Sequence, residues 1–200
     1  MVSWATPIAL QALLLWVGVC AIALPAVAVY QRKRYGAITP RQLTLTAVVL
    51  LYLVGVISFT FLPLPDPHIY QCSDTKYYPR FFPGWSVRFA LKNTAGMTEM
   101  GILRFATWWF VQIYLNVLLF IPWGIITALL LRWNFRKVLL SGFGISLFIE
   151  LTQLTGVWGI YACRYRTFDV DDMITNTVGA VIGWALVQLW VRHENRPVKA

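Results

Sequence analysis

Residues 150–183 begin with Glu150-Leu-Thr-Gln153, continue through Arg166-Thr-Phe-Asp169-Val-Asp171-Asp172, and end with the helical positions Asn176, Gly179 and Gly183. Strongly apolar sequence flanks this stretch on both sides. Charged and polar side chains are costly in a hydrocarbon environment, and they usually have a partner or a function there. The stretch therefore predicts a membrane protein with an outward-facing polar site between its third, fourth and fifth helices.

The spacing of the polar residues is helical on both sides of the central loop. Before the loop, Ser146, Glu150 and Gln153 follow i, i+4, i+7 and share one helix face. After the loop, a second face carries polar and small residues, namely Asp172, Asn176, Gly179 and Gly183. Because glycine lets helix backbones approach closely, we expect these two faces to pack against each other with a site between them.

The composition supports an integral membrane protein. The chain has 200 residues, of which 58% are hydrophobic and 12% are charged, and its mean hydropathy is +0.63. A soluble domain has about twice that share of charged residues. The net charge of +9 does not indicate a nucleic-acid partner, because the positive residues follow a membrane topology and form no solvated basic arm. The partner that we expect is the lipid bilayer.

We expect an all-α, polytopic membrane protein with a bundle of five transmembrane helices. The apolar runs are long enough to cross a bilayer, and they form a single membrane domain over residues 1–200. The helices are predicted at residues 6–30, 43–62, 105–131, 138–157 and 173–191, with an outer loop at residues 63–104.

The charge distribution predicts the orientation. The two short loops and the C-terminal tail on one side hold ten Lys and Arg residues and one acid, Glu194. The other side holds seven Lys and Arg residues and six acids. The positive-inside rule therefore predicts an N-terminus outside the cell and a cytoplasmic C-terminus.

The long outer loop contains a segment, residues 81–92, that mixes aromatic and cationic residues. Such a segment is typical of a short amphipathic helix in the membrane interface, and an ordinary surface loop fits the sequence equally well. The loop also contains Cys72, which falls on the same predicted side as Cys163. Disulfides persist in that compartment, so we favour a Cys72–Cys163 bond over two unrelated thiols.

The acidic residues admit a structural and a functional interpretation. Asp169 or Asp171 is expected to cap the last helix, because carboxylates favour a helix N-terminus. Glu150 and Asp172 lie at membrane depth, where an ionised carboxylate protonates or finds a cation. A network with Arg166 that locks the last two helices is the structural interpretation.

The functional interpretation divides into several chemistries. Glu150, Asp169 and Asp172 are the candidate catalytic residues, as general acid or base or as ligands of a divalent cation held against a lipid phosphate. Intramembrane acids also relay protons in transporters. The candidate binding residues share the same helix faces or the central loop: Asn116, Ser146, Gln153, Arg166 and Asn176. The sequence leaves open whether the protein is an enzyme.

Three motifs, all between residues 116 and 183, resemble the VanZ-like family of membrane proteins. They are Asn116-Val-Leu-Leu-Phe-Ile-Pro122-Trp-Gly124, Ser146-Leu-Phe-Ile-Glu150-Leu-Thr-Gln153, and Arg166-x-x-Asp169-x-x-Asp172-x-x-x-Asn176-Thr-x-Gly179 followed by Gly183. The founding member of that family is associated with low-level resistance to the antibiotic teicoplanin.

The resemblance implies a bacterial, multi-pass protein of the cell membrane with a role in the cell envelope. We expect it to bind or alter a cell-wall or lipid-linked component at the outer leaflet, with a contribution to glycopeptide resistance. One alternative is an enzyme that acts on a lipid-phosphate head group through an acidic cluster, Glu150, Asp169 and Asp172. The other is a small-molecule or ion transporter.

Overall fold

The computed structural model describes residues 5–65, 72 and 77–194, and the long elements among them are helices. The chain forms two compact units, Met1–Pro65 and Asp66–Ala200. The first unit contains α1 (Ala5–Tyr35) and α2 (Pro40–Phe61). The second contains, in chain order, α3 (Trp85–Thr94), a 3₁₀ helix (Thr98–Ala106), α4 (Trp108–Leu129), α5 (Phe135–Leu154), the single turn α6 (Gly156–Gly159) and α7 (Val170–Glu194).

Five candidate spans among the described residues are long and apolar enough to cross a membrane, which confirms the prediction of an all-α membrane protein with five such helices. They are Ile8–Tyr35, Pro40–Phe61, Thr98–Leu129, Phe135–Leu154 and Val170–Glu194. The side of the membrane on which each terminus lies stays a prediction. Residues 66–71 and 73–76 of the predicted outer loop lie outside the described residues.

In the first unit, α1 and α2 form a helical hairpin. Helix α1 extends past residue 30 through three basic residues, Arg32, Lys33 and Arg34, which are good helix formers and suit a helix C-terminus. It stops where Gly36 adopts a φ of 74°, a left-handed conformation that favours glycine. The indole nitrogen of Trp16 donates a hydrogen bond of 2.9 Å to the carbonyl oxygen of Ala47, which joins the two helices.

In the second unit, α7 packs most extensively against α4, and glycines make this possible. A Cβ atom on Gly179 would overlap the backbone carbonyl oxygen of Val117, and one on Gly183 would overlap that of Ile121. The helical spacing predicts that these two glycines face the helix that carries Glu150, which is α5. That expectation is wrong, because the glycine face of α7 contacts the backbone of α4.

Helix α5 packs on a different side of α7. A Cβ atom on Gly142 of α5 would lie 2.9 Å from the Cβ atom of Ala180. One turn further along α5, Ser146 is fully buried and accepts a hydrogen bond from the side chain of Asn176. Helix α7 therefore presents glycine to α4, and alanine and polar side chains to α5.

Helix α5 ends at Leu154, short of the predicted residue 157, and a left-handed turn follows it. In this turn, α6, Val157 has a φ of 57° and Trp158 a φ of 56°. Left-handed backbone costs about 1–2 kcal/mol for each non-glycine residue. Two hydrogen bonds help to hold the turn: Trp158 donates its backbone N–H to Thr155 Oγ1 at 3.1 Å and its indole N–H to Thr152 Oγ1 at 3.0 Å. The turn directs the chain back toward the start of α7.

Candidate functional site

The loop before α3 lies against the loop before α7. A disulfide joins Cys72 to Cys163, with their Cα atoms 5.7 Å apart. Further along, the Arg80 backbone N–H donates to the carbonyl oxygen of Phe168 at 2.8 Å, and the Val170 N–H donates to the carbonyl oxygen of Arg80 at 3.1 Å. This parallel bridge places the Arg80 side chain beside the first residues of α7.

Asp169 caps α7 and forms an ion pair. Its Oδ1 accepts a hydrogen bond of 2.9 Å from the backbone N–H of Asp171, as an N-cap residue does. Its Oδ2 accepts from Arg80 Nη1 at 3.1 Å and from Ser86 Oγ at 2.7 Å. Among the residues that the structure describes, the contact between Arg80 and Asp169 is a salt bridge. Arg80 was not among the predicted site residues.

The guanidinium of Arg80 is held by an aromatic side chain as well as by the carboxylate. Its central carbon lies 3.8 Å from the centroid of the Trp85 ring, a geometry in which the ring quadrupole attracts the cation. Trp85 in turn stacks on Phe89 with a centroid distance of 4.7 Å. The sequence of residues 81–92 shows the aromatic and cationic residues of this region. No local spacing connects Arg80 to Asp169, which lies 89 residues further along the chain.

Asp171 caps a different helix from the one that contains it. Its Oδ1 accepts from the backbone N–H of Gly84 at 2.6 Å, and its Oδ2 accepts from that of Ser86 at 2.7 Å. These amides lie at the N-terminus of α3, where the helix dipole favours an anion. Both oxygens of Asp171 are thus engaged in fixing α3 to the start of α7.

Glu150 supports the same junction from α5. Its side chain is only 2% exposed, and its Oε2 accepts a hydrogen bond of 2.8 Å from the backbone N–H of Asp169. An N-cap residue has a backbone N–H that the helix itself does not satisfy. Glu150 therefore connects the end of α5 to the start of α7 through one oxygen.

Two further hydrogen bonds connect α7 to its neighbours one helical turn apart. Asp172 Oδ1 accepts from the side-chain amide of Asn116 on α4 at 2.5 Å. Asn176 donates its side-chain Nδ2 to Ser146 Oγ on α5 at 2.8 Å. The other atom of that amide, Asn176 Oδ1, is buried and has no hydrogen-bond partner among the described residues. An acceptor that is buried without a partner is costly.

Arg166 is half-buried in the loop before α7. Burial lowers the pKa of its guanidinium, and nearby groups act in the opposite direction, in the order Tyr165, Tyr77, Glu150 and Asp172. Burial also raises the pKa of the neighbouring Tyr165. The charge of Arg166 thus lies within electrostatic range of the Glu150 and Asp172 carboxylates. The direct Arg166–carboxylate bridge stays a prediction.

The carboxylates do not converge on a cation in the described parts of the chain. No group of three or more His, Cys, Asp or Glu residues there has an arrangement that could hold a metal ion. The geometry explains why: the oxygens of Asp169 and Asp171 are already engaged by Arg80, Ser86 and backbone amides.

The structure brings nearly all of the predicted site residues to one place. The junction of α4, α5 and α7 contains Asn116, Ser146, Glu150, Asp169, Asp172 and Asn176. Gln153 is buried near the end of α5. Arg80, Gly84 and Ser86 are the residues that the sequence analysis missed.

A family model, described as VanZ/LLP1, matches residues 49–191. The chain belongs to the VanZ/LLP1 family. The matched range confirms the resemblance and extends it beyond residues 116–183, so that it also includes Arg80 and α3. No curated protein and no solved structure matches the chain. Membership of the VanZ/LLP1 family together with the apolar helices makes this a multi-pass membrane protein.

Proposed function

We propose that this VanZ/LLP1 protein binds the polar head group of a lipid-linked or cell-wall component at the outer leaflet. The binding site is the set of residues Glu150, Arg166, Asp172 and Asn176, called here the head-group cluster. The observation that carries the proposal is the buried acceptor Asn176 Oδ1, which has no hydrogen-bond partner among the described residues. A hydroxyl or ammonium group of a ligand would supply the missing donor.

The charges of the surrounding residues favour this cluster over the rest of the acidic region. Asp169 forms an ion pair with Arg80. Asp171 accepts hydrogen bonds from backbone amides at the N-terminus of α3. Glu150 accepts a hydrogen bond from the Asp169 backbone N–H, and Asp172 accepts one from Asn116. Because a carboxylate can accept several hydrogen bonds, these two side chains suit a ligand that carries donors.

The depth of the cluster suits a head group. Glu150 lies in the last turns of α5 and Asp172 in the first turn of α7, so both are near the loop end of their helices. Beyond Asn116, the rest of α4 is almost entirely apolar, which provides no polar path through the bilayer and weighs against a transporter. The engaged oxygens of Asp169 weigh against an enzyme that uses this residue as a third reactive carboxylate.

Family membership suggests the biological setting of such binding. By the resemblance to VanZ-like proteins, the component would belong to the bacterial cell envelope, and its binding would contribute to teicoplanin resistance. That contribution is part of the proposal.

The head-group cluster can be tested by lipid retention. The full chain is reconstituted in nanodiscs made from a polar lipid extract of the expressing bacterium, released, and weighed by native mass spectrometry. We expect Asn176→Leu to reduce retained lipid about fivefold, since a hydrogen bond to a buried acceptor contributes about 1 kcal/mol. Thr177→Val is the matched control, because Thr177 bonds only within α7 among the described residues. Equal retention by both variants would refute the proposed site.

The proposed outer location can be tested separately by reporter fusions. Since the basic loops predict a cytoplasmic C-terminus, a reporter that is active only in the cytoplasm should work when fused after Ala200. A reporter that is active only outside the cell should work when fused before Met1. A C-terminal reporter that works only outside the cell would place the head-group cluster at the inner leaflet.

A further inference from the structure

We propose that residues 81–106, called here the interfacial segment, lie on the membrane surface and bind anionic phospholipid head groups. The segment comprises two aromatic residues before α3, α3 itself, and the 3₁₀ helix that leads into α4. Of the candidate span Thr98–Leu129, the proposal assigns only α4 to the bilayer interior. The proposal concerns a surface outside the head-group cluster, and it does not depend on the function proposed for that cluster.

Helix α3 has three distinct sides. Successive residues of a helix are about 100° apart, and the side with Ser86, Ala90 and Thr94 faces the protein, where Ala90 and Thr94 are buried. Apart from Asn93, the exposed residues of the rest of the helix fall into two adjacent groups. Val87 and Leu91 form an apolar side, and Arg88 and Lys92 form a cationic side. An apolar side next to a cationic side is typical of a helix in a membrane interface.

The residues around α3 extend its apolar side. Phe82, just before the helix, is 80% exposed, and Ile102, in the 3₁₀ helix, is 84% exposed. Leu103 is also exposed. Water would solvate this apolar surface poorly. The 3₁₀ helix ends at Ala106, and α4 begins at Trp108, so these side chains lie close to the point where a spanning helix enters the bilayer.

Two features of the structure hold the segment at that point. Asp171 accepts hydrogen bonds from the first amides of α3, and Phe89 of α3 packs edge-on against Trp109 of α4, with their ring centroids 5.2 Å apart. The exposed charges on α3 are positive, and the 3₁₀ helix carries one exposed acid, Glu99. Because the segment is fixed beside a spanning helix and α3 presents an apolar and a cationic side, an anionic lipid surface fits it better than a protein partner does.

The test measures which lipids contact the segment in the full chain. In a Cys20→Ala background, Ile102→Cys is labelled with bimane, while the Cys72–Cys163 disulfide stays intact. The protein is reconstituted in equimolar phosphatidylcholine and phosphatidylglycerol, with brominated acyl chains on one lipid or the other. We expect both brominated lipids to quench the label, and brominated phosphatidylglycerol to quench it more.

Removal of the cations should abolish this preference. One Lys or Arg near an anionic leaflet strengthens binding to that leaflet roughly fivefold. The double variant Arg88→Gln with Lys92→Gln should therefore lower the association constant for phosphatidylglycerol, relative to that for phosphatidylcholine, by roughly fivefold for each residue. Arg136→Gln with Lys137→Gln, exposed cations at the start of α5, is the matched control and should leave it unchanged. Absence of quenching by either lipid would overturn the membrane location. Equal quenching by both lipids would overturn the anionic preference.

Discussion

Substitution of Gly183 by alanine is expected to cause a large loss of stability, because the added methyl group would meet backbone atoms of α4. A Cβ atom there would overlap the carbonyl oxygen of Ile121 and lie 3.0 Å from the backbone nitrogen of Ile125. These atoms are backbone, and they cannot rotate away as a side chain can. The helices α4 and α7 would have to separate, at a cost of about 3 kcal/mol or more.

The bilayer makes this contact more important. Lipid chains are as apolar as the helix surfaces, so close van der Waals packing and hydrogen bonds hold the helices together. Separation of α4 from α7 would also lengthen the bond between Asn116 and Asp172, which is 2.5 Å in the structure. We therefore expect Gly183→Ala to lower both stability and function.

Gly144→Ala provides the matched control for this prediction. Gly144 lies on the exposed side of α5, and a Cβ atom there would meet no atom within 4 Å. Alanine is the better helix former by about 1 kcal/mol, so this variant should melt at the same temperature as the wild type or above it. The measurement is the thermal loss of monodisperse protein in detergent. Equal melting temperatures for Gly183→Ala and Gly144→Ala would contradict the close contact.

The glycine face illustrates how far the sequence predicts this fold. Helical spacing identified Gly179 and Gly183 as one face, because a face depends only on the period of the helix. The neighbour of that face was predicted wrongly, since the atoms that the glycines approach are backbone carbonyls of α4. Every residue has a carbonyl, so no pattern of side chains marks the ones that a glycine contacts.

The acidic region shows the same limit of local patterns. Spacing correctly indicated that Asp169 or Asp171 would cap a helix, and Asp169 caps α7. The role of Asp171 could not be predicted, because the amides that it caps belong to α3, more than eighty residues earlier. Arg80 reaches Asp169 through the parallel bridge between two loops, and such pairing has no period that the sequence would reveal.

A comparison of Glu150→Gln with Arg80→Gln should separate function from folding in the acidic region. Glutamine at position 150 keeps the shape of the side chain, and its oxygen can accept the bond of 2.8 Å from the Asp169 N–H. It removes the ionisable carboxyl group. We expect folded protein near the wild-type amount, with loss of lipid retention and of any teicoplanin-resistance phenotype.

Arg80→Gln should have the opposite result. It would leave the buried carboxylate of Asp169 without its cation and remove the stacking on Trp85. A fully buried pair costs about 3–5 kcal/mol to break. The Arg80 side chain is 31% exposed, so water offsets part of this loss, and we expect about 2 kcal/mol. The yield of folded protein should fall, and the protein that remains folded should still retain lipid.

The design has a control for the change from glutamate to glutamine itself. Glu194 is exposed in the last turn of α7, far along the helix from the head-group cluster, and Glu194→Gln should match the wild type in yield and in lipid retention. If Glu150→Gln lowers yield and retention in parallel, Glu150 acts by holding the start of α7 in place. If the double variant Glu150→Gln with Asp172→Asn retains lipid normally, these two carboxylates are not part of a binding site. Loss of lipid retention by Glu150→Gln at unchanged yield supports the head-group cluster, because it separates the carboxyl group of Glu150 from its hydrogen bond to Asp169.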